Sequence, residues 1–398
     1  MINERLMAQG SWSVPLKDTT PASLIIPSRL GYQVYVTPTE LPASMQTTPT
    51  LNSVARYQGV LLRQNSREIG GAGLLWYLGD TNKSAVLNPS GWADITFDFA
   101  DWIENIMAFG GVTIFGVAAA PYTEGTVYDF DATTFELRIG GQLRRPMLDK
   151  ICNVYNAMYQ VRADNTFHAG RQEDLFVSAT PEVIALPKGG VRDIDLAGLK
   201  ALELDRGWDV SDLQTGWYVL GAGEGNTAVF DHQPTAISPL KDPLGNAVHL
   251  PKLINAPDAV STAEAAAVGN GEFWEALYST GSTTLSTETH DIGRLLTPGD
   301  VIYVYDPLRG FFDTTNQQTY AGQTMFPAER LVQAVTWPLE RGMGVYMRDG
   351  DSPNAITDLT QYVEWEAKAE PVVRFELGGF RRRLVPVAEN PAVERRLR

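Results

Sequence analysis

Alternating apolar and polar positions dominate the opening hundred residues. Trp12-Ser13-Val14-Pro15-Leu16, Tyr32-Gln33-Val34-Tyr35-Val36 and Tyr57 to Arg63 each alternate or carry β-branched residues, with Gly, Pro and Thr between them, which predicts short strands joined by turns. Between the last two, Thr37 to Thr50 holds Pro38, Pro42 and Pro49 with no periodicity and reads as a protruding loop. Trp76-Tyr77-Leu78-Gly79 closes this stretch, and Trp217-Tyr218-Val219-Leu220-Gly221 closes a similar one far downstream. The echo raises a β-unit used twice.

The period changes after residue 98. Trp102, Ile103, Ile106 and Met107 recur at helical spacing before Gly110-Gly111, and Met147, Leu148, Ile151, Val154, Tyr155 and Met158 form one apolar stripe after Pro146, so two helices are expected. Tyr159 to Arg162, Asp164-Asn165 and Thr166 to Gly170 read as a hairpin. Strands resume at Glu182 to Leu186, Asp193 to Leu204, Gly216 to Leu220, Val301 to Tyr305 and Leu331 to Trp337. The helix-prone segments Thr262 to Ala267 and Phe273 to Tyr278 lie among them. Pro298-Gly299-Asp300 and Asp306 to Gly310 bracket one strand with turns.

The expected fold is mainly β with α+β insertions: two related β-barrel domains, each interrupted. The first barrel takes residues 1–84 and 171–190, with an α+β insertion at 85–170. The second takes 191–225 and 290–350, with a helix-containing insertion at 226–289. Residues 351–398 supply a C-terminal strand and a basic tail.

Composition narrows the function. A chain of 398 residues with 44% hydrophobic content is folded and exceeds one ordinary domain. Its net charge of −15 argues against clinging to nucleic acid, which depends on Lys and Arg displacing counterions. Arg381, Arg382, Arg383, Arg395, Arg396 and Arg398 make the tail a basic strip on an acidic body. The single cysteine, Cys152, rules out an internal disulfide or a multi-cysteine zinc site and reads as a core thiol. No apolar stretch approaches the ~20 residues of a membrane span, and the first ten residues lack a signal-peptide core, so synthesis in a cytoplasm is expected.

His168, His232, His249 and His290 are scattered singly, without metal-ligand spacing. Gly221-Ala222-Gly223-Glu224-Gly225 follows a strand but opens no helix, so it reads as a glycine turn rather than a dinucleotide site. Asp94, Asp98, Asp101 and Glu104 beside Trp92 and Trp102 resemble a glycosidase pair. A solvated acidic face over core tryptophans is the competing and preferred reading. Thr357 to Thr360 reads as a turn or cap. No catalytic residue, cofactor site or metal site is assigned, and the chain is read as no enzyme.

Three rear segments carry a resemblance: Pro298 to Val304, Trp337-Pro338-Leu339-Glu340-Arg341-Gly342-Met343-Gly344-Val345-Tyr346, and Ile356 to Glu366. With Gly10 to Leu16, Gly31 to Val36, Tyr57 to Val60 and Leu74 to Leu78, they resemble the tail-hub or baseplate-hub (minor tail) proteins of long-tailed phages infecting actinobacteria. The resemblance implies a virion structural protein at the tail tip, a homotrimer whose two barrels per chain make a ring of six. That ring would join the six-fold tail tube and distal tail ring to three-fold tip parts and form the closure and DNA exit port. It implies as partners the distal tail protein ring, the tape-measure protein C-terminus and other minor tail or fibre proteins, with DNA passing through an acidic lumen unbound. Host lysis and recognition would then fall to other proteins. The alternatives are a tail-tip carbohydrate-binding receptor module, resting on the Trp and Tyr content, and a tail-borne glycosidase built on the Asp94 to Glu104 acids.

Overall fold

The computed structural model describes residues 1–379 except 8, 25–28, 80–86, 88–90, 110–113, 117–118, 128–133, 156, 172–174, 176–181, 186–200, 209–215, 224–227, 234–241, 247, 249, 258, 267, 270–280, 289–295, 306–315, 321–322, 349–354 and 366–371. Its strands are β1 (Ile2–Arg5), β2 (Ser11–Pro15), β3 (Gln33–Thr37), β4 (Tyr57–Gln64), β5 (Glu68–Gly73), β6 (Ala93–Phe97), β7 (Thr123–Val127), β8 (Phe135–Ile139), β9 (Met158–Val161), β10 (Thr166–Gly170), β11 (Glu182–Ala185), β12 (Ala201–Trp208), β13 (Gly216–Leu220), β14 (Phe230–Gln233), β15 (Pro251–Asn255), β16 (Gly281–Glu288), β17 (Val301–Tyr305), β18 (Gln318–Tyr320), β19 (Gln323–Met325), β20 (Ala328–Trp337), β21 (Gly344–Arg348), β22 (Ile356–Asp358) and β23 (Val372–Gly379). The helices are α1 (Thr48–Val54), α2 (Phe99–Met107) and α3 (Arg144–Tyr155).

The mainly-β expectation holds. One sheet of 13 strands runs β12-β16-β23-β20-β1-β2-β5-β4-β3-β21-β22, with β17 on β20 and β11 on β17. Strands expected in two separate barrels therefore share one sheet, and β20 joins them. Its first half pairs with β17 (Val301↔Leu331) and its second half with β1 (Ile2↔Trp337) on the same edge. β23 follows along the other edge, through a register shift between Val332 and Ala334. β21 pairs with β3, and β23 is an integral strand between β16 and β20 rather than an appendage. β13, expected in the second barrel, pairs instead with β14 and β15 in a small sheet.

Beyond β22 the chain curls back to β2: Lys17 N–H donates to Tyr362 O (2.8 Å), Glu364 N–H to Pro15 O (2.9 Å), and Leu16 bridges Val363. The inward positions enclosed by this curl, including Trp12, Val14, Val34, Val36, Val345 and Met347, form the sheet's core. Gly71 lets β5 pass β4, because a Cβ there would stand 1.8 Å from Val60 O.

The second core belongs to the α+β body. α2 starts on Asp98, whose Oδ1 accepts from Asp101 N–H, and buries Phe99, Trp102, Ile103, Ile106 and Met107 on one side; Ala108 ends it in the left-handed conformation. α3 packs its expected stripe against α2 but stops at Tyr155, so Met158 opens β9 instead of extending the helix. The hairpin β9–β10 forms as expected, with Phe167 opposite Val161.

Two expectations change. The Trp-Tyr echo is not a repeated unit. Leu74–Leu78 is a turn of 3₁₀ helix burying Leu74, Leu75 and Leu78, whereas Trp217 and Val219 alternate inward on a strand. The supposed loop 37–50 contains the start of α1, capped by Thr47 and pinned by buried Leu51 against Tyr35 and Tyr346. Residues 273–278, 306–310 and the basic tail 381–398 lie outside the described residues.

Candidate functional site

The large sheet and the segment before β17 meet at a buried charge cluster. Glu4 on β1 faces Arg56, the residue before β4: Nη1 lies 2.8 Å from Oε1 in an ion pair whose side chains are 8% and 14% exposed. Arg56 Nη2 donates to Leu296 O (2.7 Å), and Trp337 Nε1 donates to Glu4 Oε1 (2.7 Å). The guanidinium also sits 5.3 Å from the Trp337 ring centroid. Every charge in this group is therefore met by a partner from a different part of the chain, as burial requires.

Next to it, Asp300 Oδ2 accepts from Thr297 N–H (2.6 Å) and Thr297 Oγ1 (3.1 Å), fixing the turn that Gly299, at φ +103°, makes before β17. Burial pushes the Asp300 carboxyl above its ordinary range, against the opposing pull of the Thr297 bonds and of Arg56 and Arg162. Tyr57 is buried, its hydroxyl has no hydrogen-bond partner among the described residues, and burial, with Glu4 nearby, holds its pKa well above the usual value. Glu4, Tyr57, Thr297 and Asp300 line a cleft of about 370 Å³ that also touches Leu74, Leu175, Val161 and Arg162.

The acids singled out in the sequence do not converge as a catalytic pair. Asp94 on β6 pairs with Arg138 on β8 at 3.0 Å, and Asp98 is spent capping α2. Glu104 has its carboxyl pushed up by partial burial first and then by Glu124, Asp101 and Asp98. Trp102 is fully buried, in line with the preferred reading, but Trp92 is 65% exposed and is no core residue. His168 Nδ1 accepts from Thr126 N–H (3.0 Å), and Thr166 Oγ1 lies 2.9 Å from Nε2. Burial, then Arg162, lowers its pKa, which makes it a neutral strut. His232 is exposed and stacked on Tyr218; His249 and His290 lie outside the described residues. Of the glycine segment, Gly221 follows β13 and its N–H donates to Val229 O, while Glu224 and Gly225 lie outside the described residues.

Cys152 is buried, and burial, with Asp149 adding to it, pushes its thiol far up, so it is an inert core group. Among the described residues no three His, Cys, Asp or Glu side chains are grouped to hold a metal, and no helix is long and apolar enough to cross a membrane. Sequence reasoning missed the Glu4–Arg56–Trp337 group. Its members are 52 and 281 positions apart, and single charged residues beside strands carry no spacing signal.

No protein-family model matches the chain, and no curated protein matches it in sequence. Solved structures do. The 43 kDa tail protein of prophage MuSo2 from Shewanella oneidensis aligns over 94% of this chain and 92% of its own, with TM-score 0.53 and 11% identity. The chain has the fold of a tail protein. A tail protein from Neisseria meningitidis MC58 gives the same result over 95% of this chain and 90% of its own, with TM-score 0.51 and 12% identity. Both alignments run nearly end to end.

Proposed function

We propose that this chain is a structural protein of a phage tail, built into the virion as a homotrimeric hub at the tail tip. The end-to-end likeness to two tail proteins carries the reading. In it, the large sheet is two barrel-like tube units that share β20. One is built on β1 to β5 with β21 and β22, the other on β11, β12, β16, β17, β20 and β23. The α+β body and the small β13–β15 sheet are insertions into them. Three chains then present six tube units to the six-fold tail tube through the distal tail ring. The tape-measure C-terminus and further minor tail or fibre proteins meet the other side. The net charge of −15 suits a lumen through which DNA passes unbound. The role is assembly, not chemistry: the charged side chains described above are spent holding segments together.

A second reading, a glycan-binding module, draws on the exposed face of β13–β14, where Tyr218, Phe230 and His232 stack with centroids 5.5–6.2 Å apart. These rings form a single small cross-strand group, and the end-to-end likeness to tail proteins favours the hub. Light scattering after size exclusion, with negative-stain imaging, tests the proposal. A mass three times the 43.7 kDa chain and six-lobed rings are expected. A monomer that also fails to bind the purified distal tail protein counts against it, and retention on host cell wall would turn the balance to the second reading.

A further inference from the structure

The free edge of β9 lies open along the cleft. β9 is the outer strand of the β7-β10-β9 sheet, and its pairing with β10 fixes which main-chain groups point away. Arg162 N–H donates to Thr166 O at 2.9 Å. Inward-bonded positions alternate in an antiparallel pair, so Arg162 and Gln160 face β10 while Val161 and Ala163 turn their N–H and C=O outward. The outward carbonyl of Ala163 is taken by Gln58 Nε2 from β4. The outward N–H and C=O of Val161 meet no strand and no hydrogen bond among the described residues, and Val161 lines the cleft.

A second observation points to the same place. Tyr57, 5% exposed, lines the cleft with its hydroxyl unpartnered. Such a group is costly to bury unless something bonds it. Charge in the cleft is largely balanced internally: Glu4 pairs with Arg56, Arg5 with Glu376 at 2.8 Å, and Asp300 and Arg162 attract each other. An occupant therefore needs main-chain donors and acceptors rather than net charge.

We propose that this cleft takes an extended, uncharged peptide segment of another protein. The segment adds as a strand to the outer edge of β9, bonding Val161 through its main chain and the Tyr57 hydroxyl through a carbonyl. The inference goes beyond the hub reading and stands on the strand edge and the Tyr57 hydroxyl, so a trimer without peptide binding, or binding by a monomer, separates the two.

The test is selection of a random octapeptide display library on the full chain, with affinities of the winning peptides measured for three proteins. Val161→Pro removes the outward N–H without touching the β10 bonds, and Tyr57→Phe removes only the hydroxyl. Expected are peptides that bind Val161→Pro about tenfold more weakly and Tyr57→Phe about threefold to tenfold more weakly, each on the order of one lost hydrogen bond. Methylation of the peptide's central amides should abolish binding. Failure to enrich any peptide, equal binding to the wild type and Tyr57→Phe, or indifference to amide methylation overturns the proposal. Should Val161→Pro disturb the hairpin, the Tyr57→Phe and methylation results decide alone.

Discussion

The α+β body and the junction between the large sheet and the turn before β17 are built by different means. The body is mainly aromatic and aliphatic: Trp102 stacks on Phe115 at 6.0 Å, Tyr159 and Tyr122 stack on Phe167, and Phe99 and Phe135 meet Tyr155 edge-on, with the buried guanidinium of Arg144 donating through Nε to Ile106 O at 2.8 Å. The junction is polar, resting on Glu4, Arg56 and Asp300 and on the hydrogen bonds they make to Leu296 O, Trp337 and Thr297. Apolar packing is non-directional and tolerates sliding, whereas a buried ion pair with satisfied partners admits one register. The contrast indicates a body held mainly by apolar packing and a turn whose placement on the sheet is keyed by charge.

The largest expected effect breaks the apolar side. Trp102→Ala empties a fully buried site and should cost about 3–5 kcal/mol. Hydrogen exchange should quicken across α2 and α3 while β2, β4 and β5 keep their protection. Uniform loss of protection would mean that the two regions unfold as one.

On the polar side, Arg56→Met leaves the Glu4 carboxylate buried beside Trp337 and should cost about 3 kcal/mol in chemical denaturation. Adding Glu4→Gln should recover most of that loss, because the uncompensated charge is gone. In the single variant, exchange should rise at residues 296–300 and at the start of β4, with α3 unaffected. If the double variant is no better than the single one, the pair acts through packing and the comparison fails on its polar side.

How far this contrast could be read beforehand differs between the two halves. α2 and α3 were legible because a helix writes its buried face every three or four residues, and the hairpin at 158–170 because Asp164-Asn165 marks its turn. The sheet strands were legible one at a time but not in their order. Nothing local in β21 says that it pairs with β3, some 310 residues away, instead of with nearer β17. Trp76-Tyr77 and Trp217-Tyr218 show the converse failure: like residues were given unlike conformations by their neighbours, a run of leucines in one case and alternation in the other. The junction was invisible because Glu4 and Arg56 become partners only after β1 and β4 take their places in one sheet.

Smaller effects sharpen the boundary. Asp98→Ala removes the cap of α2, where Oδ1 accepts from Asp101 N–H at 2.9 Å, and should cost about 1 kcal/mol by thermal or chemical denaturation. The loss belongs to the α+β body alone, so it should leave exchange at residues 296–300 unchanged.

The smallest effect concerns pH and belongs to the junction. Burial raises the Asp300 carboxyl in the folded chain, so the fold holds that proton more tightly than the unfolded chain does. Below the unfolded value both states are protonated and Asp300 costs nothing. As pH climbs from there to the raised folded value, the unfolded chain ionises first and stability falls; above it the deficit is constant. Asp300→Asn keeps an acceptor for Thr297 N–H and abolishes this dependence. The variant should therefore gain on the wild type as pH rises through the acid range and hold that gain at neutral pH, in denaturation curves measured at several pH values. A gain that shrinks as pH rises would show that Thr297, Arg56 and Arg162 outweigh burial, making the Asp300 charge a net tie across the junction instead of a tolerated cost.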